Sequence, residues 1–325
     1  MSRSGPLWRR LIRQREYGVL ALFALTMLLV SVVNPAFLAA GNLRDLLVKC
    51  APVAIVACGV TLVIVTGEID ISVGSLMGLV AAVIGLLTSP QHLGWPVWAG
   101  APLALLLGTG CGFATGLLVT VGRVPSIIVT LGLLTALRGI TELLMGGQWI
   151  TKLPDGLRYL GTGQVLGVPI SVLTALVVVA AAIVVTRLTP IGLRIYAVGS
   201  NAQSARLAGI SERRIKVLAF TVTGFLTAVA TLVSVPQLSV IEDGVGIGFE
   251  LLVVTCVVVG GAAISGGRGT IAGSVLGVLL LNVVATVLIF LRLGAMSTYW
   301  ERAIQGGFIL GAVLLDRVAG REDKS

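Results

Sequence analysis

Long apolar runs recur along the whole chain of 325 residues, and they constrain its fold more than any other feature. Only 11% of the residues are charged, against about a quarter in soluble domains. The mean hydropathy is +1.04. A run of about 20 apolar residues can cross a bilayer as an α-helix. The chain is therefore predicted to be an all-α polytopic membrane protein.

Ten membrane-spanning helices are predicted, separated by loops that carry Pro, Gly, Asn and charged residues. A basic cytoplasmic N-terminus over residues 1–16 precedes a single transmembrane domain over 17–317, and a cytoplasmic tail covers 318–325. The first apolar run is long for a signal-peptide core, so an uncleaved helix is expected. The predicted spans are residues 17–33, 46–66, 71–88, 97–121, 125–146, 168–186, 215–235, 249–265, 270–290 and 300–317.

Positive charge is distributed unevenly between the two sets of loops. With the N-terminus in the cytoplasm, 16 of the 23 Lys and Arg residues fall on the cytoplasmic side and five on the outer side. Cytoplasmic loops of membrane proteins carry such an excess, so both termini are predicted to be cytoplasmic. The same bias explains the net charge of +9 without any binding of nucleic acid.

No residue pattern indicates catalysis or a metal site. Cys50, Cys58, Cys111 and Cys256 lie in or beside apolar runs without metal-ligand spacing, and they are expected to be buried packing residues. The only histidine, His92, lies in a loop. No lysine follows a glycine, so the phosphate-binding loop of common ATPases is absent. If this protein uses ATP, a partner subunit must hydrolyse it.

Residues 67–75, GEIDISVGS, interrupt what would otherwise be one apolar run. A carboxylate at membrane depth is costly and usually faces protein or a water-filled cavity. Two roles are predicted: Asp70 or Ser72 caps the third span, or the break lines a translocation path. The orientation places the break at the cytoplasmic turn between the second and third spans, where it would shape an inner gate. The predicted gate residues are Glu68, Asp70, Ser72, Gly74 and Ser75.

The fifth predicted span contains two charged residues four positions apart, Arg138 and Glu142. Residues at this spacing share one face of a helix, so an intramembrane ion pair that holds helices together is predicted. A contact with substrate is the alternative. In the fourth span, Gly108, Gly112 and Gly116 form a stripe of small residues that predicts a packing seam within the subunit or between subunits.

The longest and most basic cytoplasmic loop, residues 187–214, has the pattern of an ordered element. AQSARLAGI reads as a short amphipathic helix with Asn201 as its N-cap and Gly209 near its end. Its apolar surface would come from Ala202, Ala205, Leu207 and Ile210. A loop that only sets topology needs no such pattern, so docking against another protein is predicted. A solvated structural loop is the alternative.

Four stretches resemble one family. GEIDISVGSLMG looks like the Gly-Gly-Ile-Asp-Leu-Ser-Val-Gly-Ser signature of the ribose/xylose/arabinose-type sugar permeases of ABC importers, and GLRIYAVGSNAQSARLAGI resembles their cytoplasmic segment. GRVPSIIVTLG at 122–132 and GGRGTIAGSVLG at 266–277 match in the same order. The resemblance covers about residues 35–315. It implies broken helices and a cytoplasmic coupling helix, with 187–214 as the coupling loop of a permease domain.

The resemblance also implies a function and partners. It describes a permease subunit in the bacterial inner membrane that takes a monosaccharide (a pentose, hexose or deoxyhexose) from a periplasmic or lipoprotein sugar-binding protein into the cytoplasm. ABC ATPase subunits would bind ATP and Mg²⁺, and a second permease subunit, identical or different, would complete the membrane part. The residues assigned to coupling with the ATPase are Gly192, Arg194, Gly199, Asn201, Arg206, Leu207, Gly209 and Ile210.

The chain departs from the family pattern at two positions. Glu68 stands where the family usually has glycine, and Ser200 replaces the second glycine of a Gly-Gly-Asn turn. STYWERAIQGG at 297–307 weakly favours the rhamnose-type or autoinducer-2-type branch of the family. Two alternatives stay open: an ABC permease for branched-chain amino acids or nucleosides, and an ion-coupled secondary transporter that would use Glu68, Asp70 or the Arg138/Glu142 pair.

Overall fold

The described chain is almost entirely helical. A computed structural model describes residues 15–290, 296, 299–308, 310 and 311. Short 3-10 helices cover Pro35–Leu38 and Val235–Gln237, strands β1 (Gln164–Val165) and β2 (Val168–Pro169) form an antiparallel hairpin, and residues 299–308 are helical. The remaining helices are α1 Arg15–Val33, α2 Ala40–Val65, α3 Val73–Thr88, α4 Val97–Thr120, α5 Ser126–Met145, α6 Asp155–Thr162, α7 Ile170–Leu188, α8 Pro190–Ser200, α9 Ala202–Leu207, α10 Glu212–Ser234, α11 Phe249–Val259 and α12 Ile271–Phe290.

Among the described residues, six helices are long and apolar enough to cross a membrane: α2, α4, α5, α7, α10 and α12. Shorter apolar helices cover Tyr17–Val32, Val73–Thr88 and Phe249–Val259. The predicted all-α polytopic class is confirmed, whereas the count of ten spans and the side of the termini stay predictions. Residues 1–14 and 312–325 lie outside the described residues, and so does the end of the predicted span 300–317.

Helix α2 forms the centre of the molecule. In its most apolar stretch of 18 residues, 83% of the residues are buried, whereas the corresponding stretches of α5 and α7 are only 22% buried. Helices α10, α12, α7 and α11 all pack against α2. The outer helices expose large apolar side chains such as Leu143 and Val177. In a membrane protein these surfaces suit contact with lipid or with a second subunit.

The predicted glycine seam is confirmed, and it lies within the subunit. Helix α4 presents Gly108, Gly112 and Gly116 to α10. A Cβ atom at Gly116 would lie 2.8 Å from the Cα of Val217, and one at Gly108 would lie 2.7 Å from the carbonyl oxygen of Gly224. The two backbones are therefore in direct contact, which only small residues permit.

The predicted eighth span, 249–265, is wrong as a single helix. Helix α11 has only 11 residues and is about 16 Å long, about half of the hydrocarbon thickness of a bilayer. The turns at Gly260 and Gly261 follow directly, and Gly261 has a φ of 103°. Because GGAAISGG contains no charge, hydropathy alone does not separate this turn from the helix before it.

A segment of turns, residues 241–246, lies between α10 and α11 and runs beside α3. At its start, Ile241 pairs with Ile150 through two backbone hydrogen bonds of 3.0 Å. A Cβ atom at Gly78 would lie 2.8 Å from the carbonyl oxygen of Val245, and one at Gly74 would overlap that of Gly246. The segment thus follows the surface of α3, where the glycines leave room for its backbone.

Candidate gate and coupling surface

Asp70 forms a local hydrogen-bonded turn in the linker between α2 and α3. Its Oδ1 accepts hydrogen bonds from the backbone N–H of Ser72 at 2.9 Å and from the Ser72 hydroxyl at 2.6 Å. Ser72 is the N-cap residue of α3, but its own side chain makes no capping bond to the helix. Asp70 is only 4% exposed. Burial raises the pKa of Asp70, and the two hydrogen bonds from Ser72 oppose that shift.

The same linker is fixed to α5. The Ile69 N–H donates to the Ser126 hydroxyl at 3.2 Å, and the Thr130 hydroxyl donates to the Ile69 carbonyl at 3.4 Å. The remaining gate residues, Gly74 and Ser75, lie in the first turn of α3 and are buried. The linker is therefore held by side chains of a neighbouring helix as well as by its own residues.

Glu68 belongs to a chain of charges that connects the linker with α10 and α9. Its Oε1 lies 2.7 Å from Nζ of Lys216, which also lies 2.8 Å from Oε1 of Glu212. Arg206 lies 3.0 Å from Oε2 of Glu212. The side chains of Glu68 and Lys216 are only 15% and 16% exposed, so water screens this contact weakly. We call these four residues the ion chain.

Glycines join the ends of α2 and α8 to the loop before α12. The Gly267 N–H donates to the Val65 carbonyl at 2.8 Å, and a Cβ atom at Gly199 would overlap that carbonyl. A Cβ atom at Gly266 would lie 3.0 Å from the Cα of Gly67. Gly67, Gly266 and Gly267 have φ values of 83°, 86° and 74°, which favour glycine. Three of the four resembling motifs therefore meet through backbone contacts.

The predicted docking helix is present as α9. Asn201 Oδ1 accepts from the Ser204 N–H at 2.9 Å, so the predicted N-cap is confirmed. Gly209 follows the helix with a φ of 77°. Ala205 is buried, whereas Leu207 is 86% exposed and does not pack on the subunit. A large apolar side chain held outward on a capped helix suits contact with another protein.

The other residues assigned to coupling divide into structural and exposed ones. A Cβ atom at Gly192 would overlap the Thr186 carbonyl, so Gly192 lets α8 turn against the end of α7. Arg194 and Arg206 are exposed, and Ile210 is half-buried. Helix α8 was not predicted, and it exposes a second apolar residue, Leu193, at 70%. The signal for it was Thr189-Pro190, an N-cap followed by proline at the first helical position.

The predicted ion pair between Arg138 and Glu142 is not formed. Arg138 Nη1 instead donates to the carbonyl oxygens of Asp243 at 2.8 Å and Val245 at 2.9 Å. Glu142 is exposed. Arg138 thus binds the segment of turns 241–246 and supplies a charged donor to two of its carbonyl groups. Among the described residues, no group of three or more His, Cys, Asp or Glu side chains is placed to hold a metal ion.

Comparison with known proteins identifies the family to which a chain with these four motifs belongs. Residues 42–313 match the family described as "Branched-chain amino acid transport system / permease component". The chain belongs to this family. It is thus a multi-pass permease of the bacterial inner membrane and not an enzyme.

Two relatives support the predicted sugar-permease resemblance. The ribose import permease protein of Haemophilus influenzae is 36% identical over 316 residues, which cover 96% of this chain and 95% of the relative. The autoinducer 2 import system permease protein of Yersinia enterocolitica is 36% identical over 300 residues, covering 92% and 80%. No solved structure is significantly similar to the chain.

Proposed function

We propose that this chain is the transmembrane permease subunit of an ATP-driven ABC importer that moves a monosaccharide into the cytoplasm. The family assignment and the two import permeases support the class of transporter and the direction. The ribose permease, which matches over nearly its whole length, supports a sugar as cargo.

The observation that carries the proposal is the exposed helix α9 with its connections to the gate linker. Leu207 and Arg206 are both exposed, so an ATPase can contact them. Behind them, the ion chain leads from Arg206 to Glu68, and the glycine contacts join α8 to the end of α2. A displacement of α9 by ATP binding would therefore move the linker, which couples the ATPase to alternating access.

The family assignment and the two import permeases support the proposed partners. The sequence of this chain contains no phosphate-binding loop, so ATP and Mg²⁺ are assigned to separate ATPase subunits. A second permease subunit and an external sugar-binding protein complete the importer. In this scheme the binding protein supplies the affinity for the sugar, and the permease supplies a path that opens alternately to the two sides.

Replacing Leu207 by Asp tests the docking of the ATPase. We expect the variant to insert into the membrane normally and to lose most of its co-purification with the ATPase subunit encoded in the same operon. Leu166→Asp is the matched control: Leu166 is 100% exposed in the hairpin on the predicted outer side and tolerates a polar residue. Equal recovery of the ATPase with both variants would contradict the proposed coupling surface.

A branched-chain amino acid is the second candidate cargo, because the description of the matched family names it. Uptake of labelled D-ribose and labelled L-leucine by proteoliposomes that contain the assembled importer separates the two. Sugar uptake that requires both the ATPase and ATP supports the proposal. Uptake of leucine would instead support a branched-chain amino acid as the cargo. Uptake driven by an ion gradient without the ATPase would contradict an ABC mechanism.

A further inference from the structure

Two connected cavities surround the start of α11. One of about 420 Å³ lies between α2, α11 and α12, and the other, of about 730 Å³, lies between α11 and the helix at 299–308. Their volumes are in the range of small-molecule sites. Both are lined by Met77, Gly246, Phe249, Leu252 and Glu301, so they form one continuous space, which we call the central cavity.

Two polar atoms in the wall of the central cavity lack partners. Glu250 Oε2 and Gln305 Nε2 are buried and make no hydrogen bond within the part of the chain that the structure describes. A buried polar group without a partner costs free energy, so such groups are rare in folded proteins. Because Glu250 and Gln305 both line the cavity, a rotation of either side chain toward it would let a ligand supply the missing bond.

The position of the Glu250 carboxylate is built into the packing. A Cβ atom at Gly74 would overlap Glu250 Oε2, so the glycine leaves the space that the carboxylate occupies. Gly74 was assigned to the gate from its motif, and the structure places it against the residue that closes the cavity wall. The same contact joins the first turn of α3 to the first turn of α11.

Helix α12 contributes further polar groups to the central cavity. Asn282 and Thr286 lie four residues apart on the face of α12 that lines it. Asn282 Nδ2 donates to the Val278 carbonyl at 2.9 Å, and its Oδ1 accepts no hydrogen bond from any described residue. The apolar part of the wall includes Phe249 and Met77. The cavity thus combines acceptors, a neutral amide donor and an aromatic ring.

We propose that Glu250 and Gln305 bind hydroxyl groups of a neutral polyhydroxylated substrate during its passage through the central cavity. A hydroxyl group both donates and accepts, so one sugar can donate to the Glu250 carboxylate and accept from the Gln305 amide. An amino acid would instead bring a carboxylate that needs a cation, and the two described Lys or Arg residues that line the cavity, Lys49 and Arg302, are both exposed. This inference rests on the proposed sugar cargo and names the residues that contact it.

Uptake of D-ribose by proteoliposomes with the assembled importer, ATP and binding protein tests the inference. We expect Glu250→Leu and Gln305→Leu each to lower the rate of uptake about tenfold, the effect typical of one lost hydrogen bond to a charged or polar group. Ser171→Ala is the matched control: Ser171 Oγ is also buried without a partner among the described residues, but it does not line the cavity. This control should transport at the wild-type rate.

Deoxy sugars distinguish contact with substrate from a structural role. With 2-deoxy-D-ribose and 5-deoxy-D-ribose as cargo, the defect of a variant should shrink for the sugar that lacks the hydroxyl it binds. Wild-type rates for both variants would overturn the inference. A defect of equal size for all sugars, with reduced recovery of the ATPase, would assign the residues to folding and also overturn it. Failure of the wild-type importer to take up any sugar would instead contradict the proposed function.

Discussion

Replacing Lys216 by Met tests whether the ion chain holds the gate linker to α10. Lys216 Nζ lies 2.7 Å from Glu68 Oε1 and 2.8 Å from Glu212 Oε1, so one substitution removes both contacts. It also leaves two carboxylates facing each other without the cation between them. Methionine keeps the length and the apolar stem of the side chain, so the loss of packing is small.

The magnitude follows from distance and burial. At 2.7 Å and an effective dielectric constant of about 20, two unit charges attract by about 6 kcal/mol. Desolvation and the ordering of the side chains cancel much of this, and a hydrogen bond to a charged group contributes about 1.5–3 kcal/mol net. We expect Lys216→Met to lower the free energy of unfolding by about 2–3 kcal/mol. Glu68→Gln should cost about 1 kcal/mol, because Lys216 keeps Glu212.

A double-mutant cycle measures the contact itself. Unfolding of the purified permease in mixed micelles with a rising fraction of SDS gives the free energies of the wild type, both single variants and the double variant. The coupling energy between positions 68 and 216 should be about 1–2 kcal/mol. Arg206 and Glu212 provide the internal comparison: the Arg206 side chain is 73% exposed, and such pairs contribute less than about 1 kcal/mol.

The uptake assay extends the test to function. If the ion chain transmits movement of α9 to the linker, the double variant should bind the ATPase normally but couple ATP hydrolysis to uptake less efficiently. A coupling energy for Glu68 and Lys216 no larger than that for Arg206 and Glu212 would refute the reasoning about burial. Normal uptake per ATP hydrolysed by Lys216→Met would refute the role of the ion chain in transmission.

Three further pairs of substitutions test other contacts by the same unfolding assay. Asp70→Ala should cost about 1–2 kcal/mol, whereas Asp70→Asn keeps an acceptor for the bonds from Ser72 and should stay within about 0.5 kcal/mol; equal losses would contradict a role for these two bonds in stability. Gly199→Ala places a methyl group on the end of α2 and should cost more than about 2 kcal/mol, whereas Gly139→Ala, in open space, should be neutral or stabilising. Arg138→Met should lower the free energy of unfolding by about 2–3 kcal/mol because two carbonyl groups lose a charged donor. Glu142→Gln should change it little. A larger loss for Glu142→Gln than for Arg138→Met would contradict these contacts and support an ion pair between the two residues.

Features with a local cause were predictable from the sequence. The cap at Asn201 needs only a short polar side chain before a helix, and the seam on α4 needs only glycines every four residues. The apolar runs likewise placed most helices within a few residues. These features depend on neighbours in sequence, so a single chain contains the information to predict them.

Features that depend on distant segments were not predictable. The partner of Glu68 is Lys216, on a helix that begins far along the chain, and no rule of spacing connects them. The pair at 138 and 142 satisfied the helical spacing, but the carbonyls of the segment 241–246 are better partners than an exposed carboxylate. The predicted length of α11 was wrong because hydropathy measures only how apolar a segment is. The turn at Gly260 and Gly261 ends the helix.

The segment of turns 241–246 makes the order of synthesis important for this protein. Its backbone is not paired within a helix, and its partners, Ile150 and Arg138, belong to parts of the chain made earlier. When the ribosome reaches residue 241, α3 and α5 are already available to receive it. A circular permutant that begins after α10 would expose these polar groups to lipid before their partners exist, and the first helix to reach the translocon would be the short α11.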